Sequence, residues 1–293
     1  MARVRPPAAP ALTHPQRVVD AASGLRKADV AAYYEAVGPW LLPQVAGRPL
    51  SLLRCPDGVG AACFFQRHFR PGFGPGVRAL ALPGTGGEGG PLLAIDDARG
   101  LLALVQMNVL ELHPWGARAE APDRPDRLVF DLDPDPALPW AQVRDAAVEV
   151  REALAARGLR SWVRLTGGKG VHVVTPFAPG PGWTALRAFY RALAQALQAA
   201  APQRYATGAA RAARGGRIYL DWQRNARGAS SVAGWSLRAR PRLPVAMPLH
   251  WDELGECPGP AAYDLPRARQ RAQALARDPW DGFAQCRQAL PAA

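Results

Sequence analysis

Three separated segments, at residues 127–134, 166–172 and 217–222, constrain the fold of this 293-residue chain most tightly. The first reads Arg-Leu-Val-Phe-Asp-Leu-Asp-Pro, and its apolar residues predict a strand. Successive side chains of a strand point to opposite faces, so Asp131 and Asp133 would share one face. The third segment ends a similar strand pattern at Asp221, and three carboxylates would meet if the two strands paired. Clustered carboxylates repel one another unless a divalent cation neutralises them, and their hard oxygen ligands suit Mg or Mn.

The middle segment, Thr-Gly-Gly-Lys-Gly-Val-His at 166–172, has the features of a phosphate site. Glycines let backbone N–H groups approach phosphate oxygens, and Lys169 adds a positive charge. His172 adds either a hydrogen-bond donor or a proton-transfer group. The segment is not a Walker A motif, because no Ser or Thr follows Lys169 and the four-residue spacer is absent. Together the three segments predict a metal site beside a phosphate site.

Each segment also has a plainer interpretation. An Asp-x-Asp pair recurs in haloacid-dehalogenase-type phosphatases, in sugar-nucleotide glycosyltransferases and by chance. A glycine-rich stretch is more often a bare turn between strands, and Asp221 before Trp222 is uninformative by itself. The order, spacing and strand context of all three segments favour the joint interpretation.

The net charge of the chain predicts an anionic partner. The formal charge is +12 at pH 7 and the pI is about 10.5. Only Lys27 and Lys169 are lysines, so arginine supplies 34 of the 36 basic residues, a bias that fits codon composition better than function. An arginine-rich solvated surface remains an alternative. We favour a nucleic acid or nucleotide partner, because guanidinium groups match phosphate oxygens bidentately.

The four cysteines, Cys55, Cys63, Cys257 and Cys286, form no Cys-x-x-Cys pair. Cys55, Cys63 and His68 match no familiar structural zinc spacing, so reduced thiols in a cytoplasmic protein are expected. The sequence contains neither an apolar run of about 18 residues nor a signal-peptide pattern. These features predict a soluble protein that is not exported.

The remaining pattern predicts a mixed α/β organisation. Residues 1–11 indicate a flexible basic arm, and residues 12–293 indicate a single domain without a linker. Strand, helix, strand, strand, helix and strand follow one another from 127 to 222, which predicts a βαββαβ-like core on a mixed sheet. Helices are expected over 29–42, 101–112, 139–158, 184–200 and 266–277, and strands over 50–67 around a turn, 77–82, 162–165 and 171–176.

Short motifs along the chain carry a resemblance to a known family. They are Leu-Thr-His-Pro-Gln-Arg at 12–17, Gly-Arg-Pro-Leu at 47–50, Arg-Cys-Pro-Asp-Gly at 54–58, Cys-Phe-Phe-Gln at 63–66, Glu-Leu-His at 111–113 and Ser-Leu-Arg-Ala-Arg at 236–240. With the three segments above, they make the chain resemble the polymerase domain of bacterial ligase D, within the archaeo-eukaryotic primase superfamily. The resemblance covers nearly the whole chain. It implies the α/β (α+β) primase-polymerase fold, with a mixed, largely antiparallel catalytic sheet flanked by helices.

The resemblance also implies template-directed nucleotidyl transfer at short gaps or broken DNA ends in nonhomologous end joining. It implies two Mn or Mg ions and a preference for ribonucleotides. The implied catalytic and metal-binding residues are Asp131, Asp133 and Asp221. The implied nucleotide-binding residues are Thr166, Lys169, His172, His113 and Arg238, with Thr166 in place of the usual serine. A core position beside Trp115 is an equal alternative for His113.

Further positions match DNA contacts of the family. The implied 5′-phosphate-binding residues are His14, Arg17 and Lys27. Phe64 and Phe65 match aromatics that stack on template bases, and adjacent strand residues cannot both face one core. Arg54 and Arg214 match basic residues near DNA, although any loop arginine of this chain has a solvated surface as its alternative. The implied partners are gapped or broken DNA with a 5′-phosphate, nucleoside triphosphates, Ku and a separate ligase, in the cytoplasm at the nucleoid.

The chain departs from the family pattern at 18–24, which lacks a proline, at 205–214, which lacks lysines, and at 230–235. These departures concern DNA-end affinity and nucleotide preference more than catalysis. A chain of 293 residues holds no ligase catalytic domain and no 3′-phosphoesterase, so we expect a stand-alone or excised domain. The alternative function is a catalytically weak module of the same fold that binds DNA ends or 5′-phosphates. The three aspartates argue against it, because a mere binder gains nothing from clustered negative charge near phosphate.

Overall fold

The computed structural model describes residues 12–84, 90–208, 210 and 214–291. The basic arm expected at residues 1–11 lies outside this part of the chain. The described strands are, in chain order, β1 (Val18–Asp20), β2 (Leu25–Arg26), β3 (Leu50–Arg54), β4 (Phe64–Gln66), β5 (Val77–Leu80), β6 (Leu92–Ile95), β7 (Val109–Pro114), β8 (Arg127–Pro134), β9 (Trp162–Leu165), β10 (Val171–Pro176), β11 (Tyr205–Ala206), β12 (Ile218–Asp221) and β13 (Pro248–Leu249). The described helices are α1 (Lys27–Val45), α2 (Ala98–Gln106), α3 (Trp140–Ala155), α4 (Trp183–Ala200), α5 (Trp251–Glu256) and α6 (Leu265–Ala274).

A six-stranded sheet of order β11–β12–β8–β10–β9–β13 forms the centre of the described structure. All of its neighbouring strands are antiparallel except β11 and β12, which are parallel. Along β8 the side chains alternate as the sequence predicts. Phe130 packs against Tyr190 of α4, and helix α3 lies against β8 and β10. The helices therefore leave the opposite face of β8, which carries Asp131 and Asp133, for the functional site.

A smaller antiparallel sheet of order β4–β3–β7 stands beside the central one. The prediction of a helix over 101–112 is wrong in its second half. Helix α2 ends at Gln106, and the strand β7 begins at Val109. Between them Asn108 takes a positive φ of 57°, a left-handed conformation that asparagine tolerates better than most residues. The apolar run after Asn108 is then buried by pairing with β3, with Leu112 opposite Leu52. An apolar run alone cannot distinguish a buried strand from a buried helix.

The other expected helices are present with shifted ends. The helix expected over 29–42 extends from Lys27 to Val45, and the last one ends at Ala274 rather than 277. Strand β6 was not expected, and it pairs with β5. No helix in the described ranges is both long enough and apolar enough to cross a membrane.

The cysteines differ from the expectation of four reduced thiols. Cys55 and Cys63 form a disulfide, whereas Cys257 and Cys286 are free. The two bonded residues follow β3 and precede β4, and the antiparallel pairing of those strands brings them together. The number of residues between the two cysteines did not reveal this disulfide. The distance between their sulfur atoms is set by the turn that joins β3 and β4.

Candidate active site

A row of polar side chains crosses the open face of the central sheet. Asp131 of β8 lies opposite Asp221 of β12 on one side and opposite His172 of β10 on the other. His172 in turn lies opposite Arg164 of β9. Directly opposed residues of neighbouring strands share a face, and Asp133 shares it because it is two residues from Asp131. The strand register thus brings the three predicted aspartates and His172 together.

The guanidinium of Arg224 lies between two of the three carboxylates. Its Nε is 2.7 Å from Asp131 Oδ2 and 3.2 Å from Asp221 Oδ2. Asp133 Oδ2 is 3.4 Å from an Nη atom of Arg214. Among the described residues, no three His, Cys, Asp or Glu side chains lie close enough together to hold a metal ion. The carboxylate oxygens nevertheless suit Mg or Mn, and two of the three carboxylates already share the cation Arg224, which a metal at those oxygens would have to displace.

The two aspartates of β8 differ in their electrostatics. Burial opposes ionisation of Asp131, but the hydrogen bond from His172 and the positive charge of Arg224 outweigh burial and lower the pKa of Asp131 to about 2. Burial and the charge of Asp131 raise the pKa of Asp133 above its ordinary value. Asp133 is therefore the carboxylate that gains most from a nearby cation.

The glycine-rich loop between β9 and β10 is shaped by Thr166. Its hydroxyl donates to the carbonyl of Gly170 at 3.0 Å and accepts from the N–H groups of Gly168 and Gly170 at 3.2 Å. A Cβ at Gly170 would collide with the carbonyl oxygen of Leu132, so glycine is required there. The Thr166 hydroxyl thus serves the loop itself, and Lys169 is exposed at its tip.

A buried carboxylate, Glu111 of β7, ties the second sheet to this loop. Its Oε2 accepts from Arg238 Nε at 3.0 Å and lies 2.8 Å from His113 Nε2, and its Oε1 accepts from the N–H of Ala239 at 2.8 Å. Arg238 also donates to the carbonyl of Thr166 at 2.6 Å. Burial opposes ionisation of Glu111, but His113 and Arg238 outweigh it and lower the pKa of Glu111 to about 2. Burial lowers the pKa of His113, so the neutral ring donates its Nε2–H to the carboxylate.

Two clefts meet at the aspartates. The first has a volume of about 240 Å³ and the second about 380 Å³, and both are lined by Asp131, Asp133 and Arg224. The first cleft is also lined by cationic and donor side chains suited to phosphate oxygens, which are Lys169, His172, Arg238 and Arg240. The second is also lined by Arg214, Tyr219, Asp221 and Gln223. A triphosphate in the first cleft and a strand end in the second would meet at the carboxylates.

The family model described as LigD, primase-polymerase domain, matches residues 26–280. The chain belongs to this family. It is 38% identical over 283 residues to the multifunctional non-homologous end joining protein LigD of Pseudomonas aeruginosa, covering 96% of this chain and 34% of that protein. It is 33% identical over 254 residues to the LigD protein of Mycobacterium tuberculosis, covering 84% of this chain and 33% of that protein. The chain thus spans about a third of the length of these relatives.

A solved structure, the polymerase domain from Mycobacterium tuberculosis ligase D in complex with DNA, has the same architecture. The TM-score is 0.86 at 28% identity, and the match covers 95% of this chain and 99% of that one. The comparison confirms the expected primase-polymerase fold. The class of enzyme is confirmed as well, since the ligase D primase-polymerase domain is a DNA-directed nucleotidyltransferase.

In this primase-polymerase domain both candidate template-stacking residues are on the surface. Phe64 and Phe65 of β4 are 47% and 56% exposed. The Phe65 ring stands edge-on to His113, with ring centroids 5.5 Å apart, which places it next to the first cleft. Arg54 lies over the Phe64 ring at 5.4 Å and donates to the carbonyl of Met107 at 3.0 Å. Neither ring belongs to the hydrophobic core, so both are accessible to a base.

The three candidate 5′-phosphate residues gather at the N-terminus of α1. The buried Lys27 donates its Nζ to the carbonyl of Gln106 at 2.8 Å, and its backbone N–H bonds the carbonyl of Arg17 at 2.9 Å. Burial and the charge of Arg17 lower the pKa of Lys27. The exposed Arg17 pairs with Asp57 at 3.0 Å, and His14 is exposed beside it with a φ of 53°. A helix N-terminus with these charges suits an anion.

Sequence reasoning missed Arg224, Arg164 and the role of Glu111. Arg224 follows Asp221 by three residues, which is one turn of the 3-10 helix Trp222–Arg224. Arg164 of β9 precedes Thr166 by two residues. The alternation of a strand therefore indicated that Arg164 shares the face of the site. The partners of Glu111 lie more than 120 residues away along the chain, apart from His113, and no local pattern reveals them.

Proposed function

We propose that this domain extends a DNA primer by template-directed nucleotidyl transfer at short gaps or broken ends during nonhomologous end joining. One observation supports the proposal most directly. Three aspartates on one sheet face lie between a cleft lined by Lys169, His172 and Arg238 and a second cleft. This arrangement suits a reaction that joins a triphosphate to a strand end. The end-joining role is supported by the relatives, which are non-homologous end joining proteins.

Asp131, Asp133 and Asp221 would hold two divalent cations, Mn or Mg. When bound, such ions supply positive charge for the attacking hydroxyl and the pyrophosphate leaving group. For a metal to bind there, Arg224 would have to move, because its guanidinium contacts the carboxylate oxygens of Asp131 and Asp221. Once displaced, its guanidinium can donate to a phosphate oxygen in the first cleft, which it also lines.

The side chains of the first cleft would hold the triphosphate. Lys169 contributes an ammonium charge at the loop tip, and Arg238 contributes a guanidinium that Glu111 already orients. His172 donates a hydrogen bond from the sheet face, and His113 approaches the nucleotide beside Phe65. Thr166 acts through the loop that it shapes. We also propose a preference for ribonucleotides, which the family resemblance supports and which competition between ATP and dATP tests.

The surface residues would hold the DNA. We propose that the α1 N-terminus, with His14, Arg17 and Lys27, binds a 5′-phosphate of the downstream strand. The aromatic pair on β4 would stack on template bases, with Arg54 and Arg214 near the DNA. The solved neighbour is a complex with DNA, which supports this use of the surface. Ku and a separate ligase are the proposed protein partners, in the bacterial cytoplasm at the nucleoid.

Primer extension on gapped DNA with Mn or Mg tests the proposal. The wild-type domain should add nucleotides, whereas Asp131→Ala and Asp133→Ala should abolish extension and retain or tighten DNA binding. Removing a carboxylate removes a metal ligand and also a repulsion toward phosphate, so the two activities should separate. Asp145→Ala, which changes an exposed residue of α3, is the matched control and should extend normally.

Two results would contradict the proposal. Extension by a folded Asp131→Ala or Asp133→Ala variant would refute the catalytic role of these residues. Tight binding of gapped DNA by the wild type without extension under any metal would instead support the weak end-binding module.

A further inference from the structure

Arg164 of β9 is a buried arginine beside the site, and only 2% of the residue is exposed to solvent. It is not among the positions that the family resemblance implies. Its Nε donates to His172 Nδ1 at 3.0 Å, and an Nη atom donates to Ser231 Oγ at 3.2 Å. Its guanidinium also lies 5.7 Å from the ring centroid of Trp280. These contacts on several sides fix the orientation of the guanidinium.

The contact with His172 determines where the imidazole carries its proton. A guanidinium has only donors and keeps its charge in proteins, so His172 Nδ1 must accept and carries no proton. The single ring proton is then on Nε2, since which nitrogen is protonated is set by the bond that the other one makes. His172 Nε2 is 3.3 Å from Asp131 Oδ1 and faces the row of carboxylates.

We propose that Arg164 is a positioning residue for triphosphate binding, which fixes His172 as an Nε2–H donor on the wall of the first cleft, where the Nε2–H lies against Asp131 Oδ1. The inference rests on the proposed function, since it concerns the triphosphate site. It also decides between the two roles that the sequence left open for His172. The ring cannot accept a proton at Nε2, which already holds one, and Arg164 occupies the lone pair of Nδ1. His172 is therefore a hydrogen-bond donor on the wall of the first cleft, where Asp131 and a bound phosphate oxygen can share its Nε2–H, and not a general base.

The charge balance around Arg164 supports the same role. Among the described residues, no carboxylate lies within ion-pair distance of its guanidinium, and its direct partners are the neutral His172 and Ser231. A buried charge without an opposite charge beside it is costly. Along the row of side chains on the sheet face, the negative charge that acts on Arg164 is the carboxylate of Asp131, and His172 lies between the two. An anionic triphosphate in the first cleft would add compensating charge, which favours its binding there.

The variants Arg164→Met and Arg164→Lys test the inference. Methionine keeps the length of the stem but removes the charge and the donors, whereas lysine keeps a charged donor. Arg157→Met is the matched control, because that exposed guanidinium bonds only the Ala153 carbonyl of its own helix end. Nitrogen NMR of histidine-labelled protein reports the tautomer, and His172→Gln identifies the His172 signal among the five histidines. Triphosphate binding, KM and kcat are measured for each variant.

We expect wild-type His172 to be protonated on Nε2. Arg164→Met should mix the tautomers and weaken ATP binding about tenfold, with a smaller change in kcat, as for the loss of a bond to a charged donor. Arg164→Lys should recover most of the affinity. In a His172→Gln background, Arg164→Met should add little further loss, because the two residues act through one contact.

Three outcomes would overturn the inference. They are a wild-type His172 protonated on Nδ1, unchanged ATP affinity in folded Arg164→Met, and a full additional loss in the His172→Gln background. If Arg164→Met does not fold, the wild-type tautomer and the lysine variant still decide. A wild-type domain that binds no triphosphate would refute the proposed function, whereas the tautomer measurement would still test the contact of Arg164 with His172.

Discussion

Glu111→Gln is the perturbation whose effect the structure defines most closely. The Glu111 carboxylate is 4% exposed and accepts from Arg238, His113 and the backbone N–H of Ala239. Glutamine has nearly the same shape, but it has one acceptor oxygen and no charge. The variant therefore leaves the partly buried Arg238 guanidinium without its ion-pair partner and presents N–H groups to other donors.

The magnitude follows from the pKa of Glu111. Its partners lower this pKa from 4.5 to about 2, and one pKa unit corresponds to ~1.4 kcal/mol, so ionised Glu111 contributes roughly 3 kcal/mol to the free energy of unfolding. Removing one partner of a fully buried ion pair costs ~3–5 kcal/mol, and the lower end of this range applies because Arg238 is only partly buried. We expect Glu111→Gln to lower the unfolding free energy by about this amount at pH 7. The triphosphate KM should rise as well, because Arg238 loses its support.

The pH dependence gives the sharper test. A carboxyl group whose pKa is lowered by folding stabilises the protein fully above its unfolded pKa, and the contribution is lost as the pH falls through the folded pKa. For Glu111 the loss runs from about pH 4.5 down to about pH 2. The stability difference between wild type and Glu111→Gln should therefore be constant near neutral pH and shrink below pH 4.5.

Urea unfolding of both proteins across this pH range measures the difference. Glu152→Gln, which changes an exposed carboxylate of α3, is the control and should cost little at any pH. A cost for Glu111→Gln below about 1 kcal/mol at pH 7 would show that the buried network does not hold the site together. A large cost that does not change with pH would show that packing, and not the charge of Glu111, is responsible.

Two further predictions concern DNA. Phe64→Ala and Phe65→Ala should each weaken template binding by about 1–3 kcal/mol for any base while changing the melting temperature little, because both rings are exposed; a large loss of stability with unchanged affinity would contradict stacking. Arg17→Ala with Lys27→Met should reduce the discrimination between 5′-phosphorylated and unphosphorylated gaps about tenfold or more, and Asp57→Asn should increase it by releasing Arg17. An equal loss on both DNAs would indicate general electrostatics.

The strand alternation and the motif order were enough to anticipate much of the site. The period of two along β8 placed Asp131 and Asp133 on one face, and the pairing of β12 with β8 brought Asp221 opposite Asp131. The alternation along β8 is a local consequence of strand geometry that a single sequence carries, whereas the meeting with Asp221 was conditional on the two strands pairing. The catalytic and metal-binding roles of the three aspartates stay predictions until the variants are measured.

The rest depended on contacts between distant parts of the chain. Arg238 and Glu111 are 127 residues apart, and only the packing of the second sheet on the glycine loop joins them. The pairing of Cys55 with Cys63 and the end of α2 before Asn108 depend on how β3 pairs with its neighbours. Tertiary pairing of this kind overrides local propensity, which is why the helix expected over 101–112 was half wrong.

The hydrogen-bond donors that line the first cleft differ in whether a bound metal would have to displace them. Arg238 is held by Glu111 and His172 by Arg164, so both point into the cleft before any ligand arrives. Preorganised donors of this kind cost no reorganisation during the reaction. Arg224 is the opposite case, because it binds the very oxygens of Asp131 and Asp221 that a metal would need. This ion pair partly neutralises Asp131 and Asp221, and a metal at the same oxygens would have to displace Arg224, whose guanidinium would then be free to donate to phosphate.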